Sequence, residues 1–251
     1  MTKIKLWFQP GTRNSKTGNI PTACVGQSIK QTKQSCTGCA LFRPNKKIKD
    51  TREFKCYAWS GTVKLSTGAA YLSATNGKSH TTMVGTKATK NGGRYTLEYA
   101  LKNRSHRSKY FRVSSIGDPA RADRKELNST IKRIRKEPLD IIGYTHFWKD
   151  WNNRGLKNSL MASCDNIDQA DEAINKGFIP AAIIPEDTPK NKNNIYYTSK
   201  GTALLACMNQ TQKIKGVEEP IQCNECGLCS VNHKIWSVEK QKIKGIGFFN
   251  H

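Results

Sequence analysis

Seven of the nine cysteines in this 251-residue chain fall into two spaced groups. Cys36 and Cys39 form a C-x2-C pair, and Cys56 follows in Cys56-Tyr57-Ala58. Cys223, Cys226 and Cys229 form C-x2-C-x2-C, preceded by Cys207 at the end of an apolar run. Thiolates two residues apart across a tight turn converge on one metal ion, and a third from a distant segment begins to enclose it. The chain is therefore expected to fold around inorganic centres. The opening Met1-Thr2-Lys3-Ile4-Lys5 lacks the apolar core of a secretory signal. A reducing, cytoplasmic setting is expected, where such pairs serve as ligands more often than as disulfides.

The C-terminal group supplies four thiolates, enough for a closed site. Four-cysteine sites hold zinc or an iron–sulfur cluster. Two separated pairs would suit a zinc ribbon better than this compact triple, which favours a [4Fe-4S] cluster with zinc as the alternative. A zinc version has His251 or His233 available in place of Cys207. The N-terminal group offers Cys36, Cys39 and Cys56, and three protein ligands leave the open position that a reactive metal needs. Cys24 as a fourth ligand would close it. Cys164 stands alone and reads as a core thiol.

Charge is unevenly spread. Residues 1–136 hold 29 Lys/Arg against 6 Asp/Glu, whereas residues 137–251 hold 13 of each. The whole net charge of +23 thus sits on the first part of the chain, as expected of a surface facing a polyanion. Nucleic acid is the expected partner, DNA ahead of RNA, with a host protein as a further candidate. Arg104, Arg107 and Lys109 in one short run, Arg112 beside Tyr110 and Phe111, and Lys132, Arg133 and Arg135 are the candidate phosphate contacts. Trp148, with Trp151 nearby, is the candidate base-stacking surface. No run approaches the ~20 apolar residues needed to span a bilayer. Gly77-Lys78-Ser79 is not a phosphate loop, because Leu72 stands where the first glycine belongs.

Three regions are expected: a cysteine-rich metal-binding region over 1–60, a basic Gly/Ser/Thr-rich insertion or linker over 61–108, and an α/β core over 109–251. A single domain overall is the alternative. Within the core, strands are predicted over 110–117, 139–148, 159–163, 179–185, 203–208 and 243–249. Helices are predicted over 119–136 and 168–176, the second stopped by Gly177. This alternation favours an α/β fold with a mostly parallel sheet or an incomplete β/α barrel. In such folds the residues just after each strand line one rim. Here they are Asp118, Tyr144 with His146, Asp165 with Asn166, Glu186 with Asp187, and Cys207. Asp118, Tyr144, His146 and Asp165 are the candidate acid–base residues. Asp118 before Pro119 also fits a helix N-cap, and Asp165 or Asn166 could cap the next helix.

Gly18-Asn19-Ile20-Pro21, Cys36-x2-Cys39, Cys56-Tyr57-Ala58, Gly117-Asp118, Tyr144-Thr145-His146, Ser163-Cys164-Asp165-Asn166, Cys207 and Cys223-x2-Cys226-Gly227-Leu228-Cys229 occur in that order. The succession resembles a cysteine-rich family carried by bacteriophages, prophages and some plasmids, over nearly the whole chain. The resemblance implies that seven cysteines act as a set without Cys24, and that the ending Phe248-Phe249-Asn250-His251 makes His251 a site residue. For a phage-encoded protein it places the chain in the host cytoplasm. Thr37 and Met208 stand where the family has proline, and the 61–94 insertion departs from its shorter pattern. The resemblance brings no reaction with it.

The leading expectation is a phage-type metal or iron–sulfur enzyme acting on nucleic acid, modifying or processing a base. A cluster in the open N-terminal centre could take S-adenosylmethionine, although the C-x3-C-x2-C spacing of such sites is absent. The alternative is a non-catalytic protein, stapled by structural metals, that binds nucleic acid or a host factor in replication or anti-defence.

Overall fold

Where successive strand residues alternate between two apolar surroundings, a sheet is covered on both faces, and each face can be followed residue by residue. The computed structural model describes residues 3–11, 16–26, 29–37, 95–185, 188, 194–237 and 243–249. Among them are the strands β1 (Leu6–Gln9), β2 (Thr22–Val25), β3 (Tyr110–Val113), β4 (Asp140–Thr145), β5 (Met161–Cys164), β6 (Pro180–Ile184), β7 (Ile195–Tyr197), β8 (Ala203–Ala206) and β9 (Ile243–Phe249). The helices are α1 (Ile29–Ser35), α2 (Leu97–Lys102), α3 (Arg124–Ile134), α4 (Gln169–Asn175), α5 (Met208–Ile214) and α6 (Cys223–Cys226).

The strands form one sheet in the order β1-β2-β3-β4-β5-β6-β9-β8-β7. From β2 to β6, and on through β9 and β8, every neighbouring pair is parallel; β1 and β7 close the two edges antiparallel. This is the expected α/β fold with a mostly parallel sheet. Because β2 to β6 lie in chain order, crossovers of one hand deliver their helices to one face. That face is the main core. Ala23, Val25, Phe111, Val113, Ile141, Ala162, Cys164 and Ala182 from the strands pack with Leu127, Ile131 and Ile134 of α3 and Ala170 and Ala173 of α4. The other face carries Met161, Ala181 and Ile246 with Tyr144 and Phe248, and is covered by Leu228, Cys229, Val231 and Trp236 from the C-terminal cysteine segment.

Two expectations are corrected in detail. Residues 119–136 are not one helix: Pro119–Arg121 is a 3-10 turn, and α3 begins afresh at Arg124 with Asp123 as its N-cap. The break exists because the N-terminal segment claims the backbone there. Ile4 bridges Ala122, and the Asp123 N–H donates to the Ile4 carbonyl (2.8 Å). The segment 203–208 is strand only to Ala206, since Met208 already opens α5. In the N-terminal region, two four-residue strands, β1 and β2, join the common sheet. The final strand has the predicted bounds. Its Gly247 leaves room for the Ile184 side chain, which a Cβ there would displace. Among the described residues no helix is long and apolar enough to cross a membrane.

Candidate metal centre and the rim beside it

Four cysteines border one cavity over the sheet face opposite the main core. Cys207 follows β8 and is tied to the neighbouring strand by its N–H, which donates to the Gly247 carbonyl (2.8 Å). Cys223 and Cys226 begin and end α6, one helical turn apart. Gly227 then takes a left-handed conformation (φ 66°) that ends the turn and brings Cys229 back towards the sheet. No other residue fits there, since a Cβ on Gly227 would stand 1.9 Å from the Tyr110 hydroxyl. The four cysteines, with Leu228 and Ile246, line one cavity of about 20 Å³.

The segment is held down by polar contacts. Ser230 Oγ and Asn232 Nδ2 donate to the two carboxylate oxygens of Asp140 (2.6 and 2.8 Å). Asn209 Nδ2 donates to the Ile221 carbonyl (2.8 Å). The Cys223 and Asn224 N–H groups donate to the carbonyls of Lys16 and Thr17 (3.0 and 3.2 Å), so the N-terminal segment meets the C-terminal turn. Asn224 also reaches the basic loop: Nδ2 donates to the Arg107 carbonyl and Oδ1 accepts the Lys109 N–H, both at 3.0 Å.

Burial dominates the electrostatics of this thiol group. Burial, and then the neighbouring Cys223 thiol, push Cys229 far above the ordinary thiol value, against a hydrogen bond from Tyr144. Burial raises Cys223 while Lys16 and Arg112 draw it down, and burial raises Cys226 as well. Burial and the adjacent Cys229 also raise Tyr144, so its hydroxyl stays a donor. Among the described residues, no three His, Cys, Asp or Glu side chains stand close enough as placed to hold an ion. The donor set itself fits a soft metal: four thiols share one cavity, and a cation there would reverse their mutual repulsion.

The remaining cysteines divide. Cys24 is buried on β2 with Sγ 3.0 Å from Ser115 Oγ, and burial pushes its thiol up to about 11. Cys164 is a core thiol, as expected. Cys36 ends the turn after α1, buried beside Ser35. Cys39, Cys56, His251, Glu186, Asp187 and the 61–94 insertion lie outside the described residues. His233 Nδ1 accepts the Ile235 N–H (3.2 Å).

Along the carboxyl rim the structure joins two expected residues and adds a third. Left-handed backbone at Ser114 (φ 70°) and Gly117 (φ 75°) bends the loop after β3 and returns Asp118 over the end of β4. Asp118 Oδ1 accepts the Ala120 N–H (2.9 Å) and the Thr145 hydroxyl (2.8 Å); Oδ2 accepts the His146 N–H (2.7 Å). Oδ2 is also 3.5 Å from His146 Nδ1. His146 Nε2 then lies 3.0 Å from Ser163 Oγ on β5. The N-cap role of Asp118 and its contact with His146 therefore coexist. Ser163 escaped the sequence reading because it lies within a strand. Its signal was the alternation that puts it on the same face as Met161, opposite Cys164.

Tyr144, expected with His146 on the rim, instead faces the thiols, packed edge-on against Phe248 (6.0 Å). Asp165 donates its N–H to Gln169 Oε1 (3.1 Å), and its Oδ1 is buried without a hydrogen-bond partner among the described residues. Asn166 Oδ1 accepts the Gln169 N–H (3.0 Å), but the N-cap position of α4 is Asp168, not Asp165 or Asn166.

Among the expected nucleic-acid contacts, Trp148 is corrected: it is 2% exposed, with Nε1 donating to the Ser163 carbonyl (2.9 Å), because the chain folds it under the rim. Trp151 is the exposed one, at 73%, with Arg154 over its ring. Arg133 is held by Glu98 (2.7 and 2.8 Å) and Glu137 (2.7 Å). Arg104 pairs with Glu137 (3.1 Å), and Arg135 donates to the Asn158 carbonyl and Ser159 Oγ (2.7 and 2.8 Å). Lys132 is exposed on α3, Arg107 and Lys109 are exposed beside α6, and Arg112 lies under the thiol group. Compared with protein-family profiles, curated proteins and solved structures, the chain matches none of them.

Proposed function

We propose that this protein holds a metal centre, a [4Fe-4S] cluster ahead of zinc, at Cys207, Cys223, Cys226 and Cys229, and acts on nucleic acid brought against that centre. The observation that carries the reading is Asn224. It sits inside the cysteine turn and binds the backbone of both Arg107 and Lys109, so the thiol group and two exposed cations form one unit. A polyanion held by Arg107 and Lys109 would lie against the turn that carries Cys223 and Cys226. A cluster in these thiols would supply electron transfer or a Lewis-acidic iron, whereas zinc would staple the turn. Tyr144 would donate a hydrogen bond to the Cys229 sulfur, and Lys16 and Arg112 would offset thiolate charge. Asp118 and His146 on the nearby rim are the groups suited to proton transfer during base modification or processing.

The test is purification without oxygen, followed by absorption spectroscopy and assay of iron, zinc and acid-labile sulfide. Brown protein with iron and sulfide, lost in Cys226→Ser, is expected; colourless protein with zinc selects the other metal. A folded chain that takes up neither overturns the reading. Affinity for single- and double-stranded DNA should fall steeply with salt, and Arg107→Ala and Lys109→Ala should each lower the log–log slope by about one. A flat salt response removes nucleic acid from the proposal.

A further inference from the structure

We infer that Ser163, His146 and Asp118 form a nucleophilic array for acyl transfer to water, with Ser163 Oγ as the nucleophile. The inference is independent of the metal. It rests on an ordered chain of contacts: the Asp118 carboxylate 3.5 Å from His146 Nδ1, and His146 Nε2 3.0 Å from Ser163 Oγ. The outer contact has hydrogen-bond length. The inner one has ion-pair length, and such contacts commonly tighten only once a substrate is bound. The Asp118 side chain is 5% exposed and that of His146 25%, while Ser163 is partly exposed.

Each member is braced from behind. Asp118 accepts hydrogen bonds from Ala120, Thr145 and the His146 backbone, and these hold its carboxylate in place under the ring. The indole of buried Trp148 holds the Ser163 carbonyl (2.9 Å), which anchors the strand that presents the hydroxyl. This is the arrangement that lets a histidine deprotonate a serine while a buried carboxylate stabilises the resulting imidazolium.

The surroundings select the carbonyl group over the phosphoryl group as the electrophile. Phosphoryl transfer needs cations aimed at the transferred group. Among the described residues, three cations of the surrounding loops have other contacts: Arg121 lies over the Phe147 ring at 3.9 Å, Arg124 bonds Asn153, and Lys149 pairs with Glu172 at 2.7 Å. The array suits an acyl carbonyl, and a carboxylic ester is the substrate class proposed for it. In the first step the Ser163 proton passes to His146 Nε2 as the Oγ–carbon bond forms, and the leaving alkoxide departs with that proton. In the second, water gives a proton to Nε2, its oxygen bonds the acyl carbon, and the Oγ–carbon bond breaks with the proton returning to Oγ. The balance is ester plus water to acid plus alcohol, with no change of oxidation state.

The test is covalent labelling of the full chain by an alkyl fluorophosphonate, in which Oγ displaces fluoride from phosphorus, with the site mapped by mass spectrometry. Labelling at Ser163 at least ~10²-fold faster than in the urea-unfolded chain is expected, given the usual size of general-base assistance. It should vanish in Ser163→Ala, whose partly exposed position tolerates the change. His146→Gln should slow it by roughly 10²–10⁴-fold. Asp118 is a positioning residue: Asp118→Asn should lower the plateau rate and move the pH midpoint of labelling downward, because the carboxylate no longer favours the imidazolium. Labelling that persists in Ser163→Ala, or a native chain labelled no faster than the unfolded one, overturns the inference.

Discussion

The two faces of the sheet are built on different physics. The face under α3 and α4 is dry and aliphatic: Phe111, Leu127, Ile134 and Ala162 are fully buried in one continuous cluster, and burial of apolar surface is enough to hold it. The opposite face has a smaller apolar patch around Met161, Ala181 and Ile246, and its cover is a non-repetitive segment with three half-exposed cysteines. That cover is fastened by named hydrogen bonds from Asp140, Asn209 and Asn224 rather than by area. One face gives the fold its stability, and the other holds polar, titratable and soft-donor groups in place at some cost to it.

The contrast is open to attack at three points. The largest effect is expected from Phe111→Ala on the helix-covered face, which should cost about 3–5 kcal/mol in urea unfolding while leaving unchanged, per folded molecule, any metal taken up by the proposed centre. A loss of metal in step with stability would mean that the faces are not separable. Next, Asp140→Ala releases both Ser230 and Asn232 and should cost about 2 kcal/mol. Hydrogen exchange should then quicken across 223–236 and leave 124–134 protected. Equal quickening on both sides would break the comparison.

The last comparison, of one buried thiol from each face, has no effect at neutral pH and is read only in alkali. Burial raises Cys24 from the ordinary 9.0 to about 11 and Cys164 to about 12. In the unfolded chain both thiols lose their protons from about pH 9, so above that pH the unfolded state binds fewer protons than the native one. Stability from this source is complete below pH 9 and falls by about 1.4 kcal/mol per pH unit for each thiol, up to about pH 11 for Cys24 and about pH 12 for Cys164. Thermal unfolding in reducing buffer measures the fall. Alkylation of the folded chain should reach Cys24 at a lower pH than Cys164.

How much of this could be read beforehand depended on the range of the interaction involved. The parallel core was legible because buried strands alternate with amphipathic helices, and β9 was placed to the residue. The short strands β1, β2 and β7 were not, since three or four residues carry too little periodicity and owe their conformation to neighbours in the sheet. The thiol group was legible because its spacing is local. Ser163 was not, because its partner is fixed by how the ends of β4 and β5 align, which no local pattern records. Charge told where Arg133 would be but not that Glu98, far along the chain, would neutralise it.

The place of β9 has a consequence for how the molecule is made. It lies between β6 and β8, yet it is the last in chain order of the nine strands among the described residues. On the ribosome those two neighbours would wait on the order of seconds, with bare backbone edges, before their common partner emerged. During that interval the nascent chain would be most exposed to mispairing with its own kind, and holding by a chaperone would matter most.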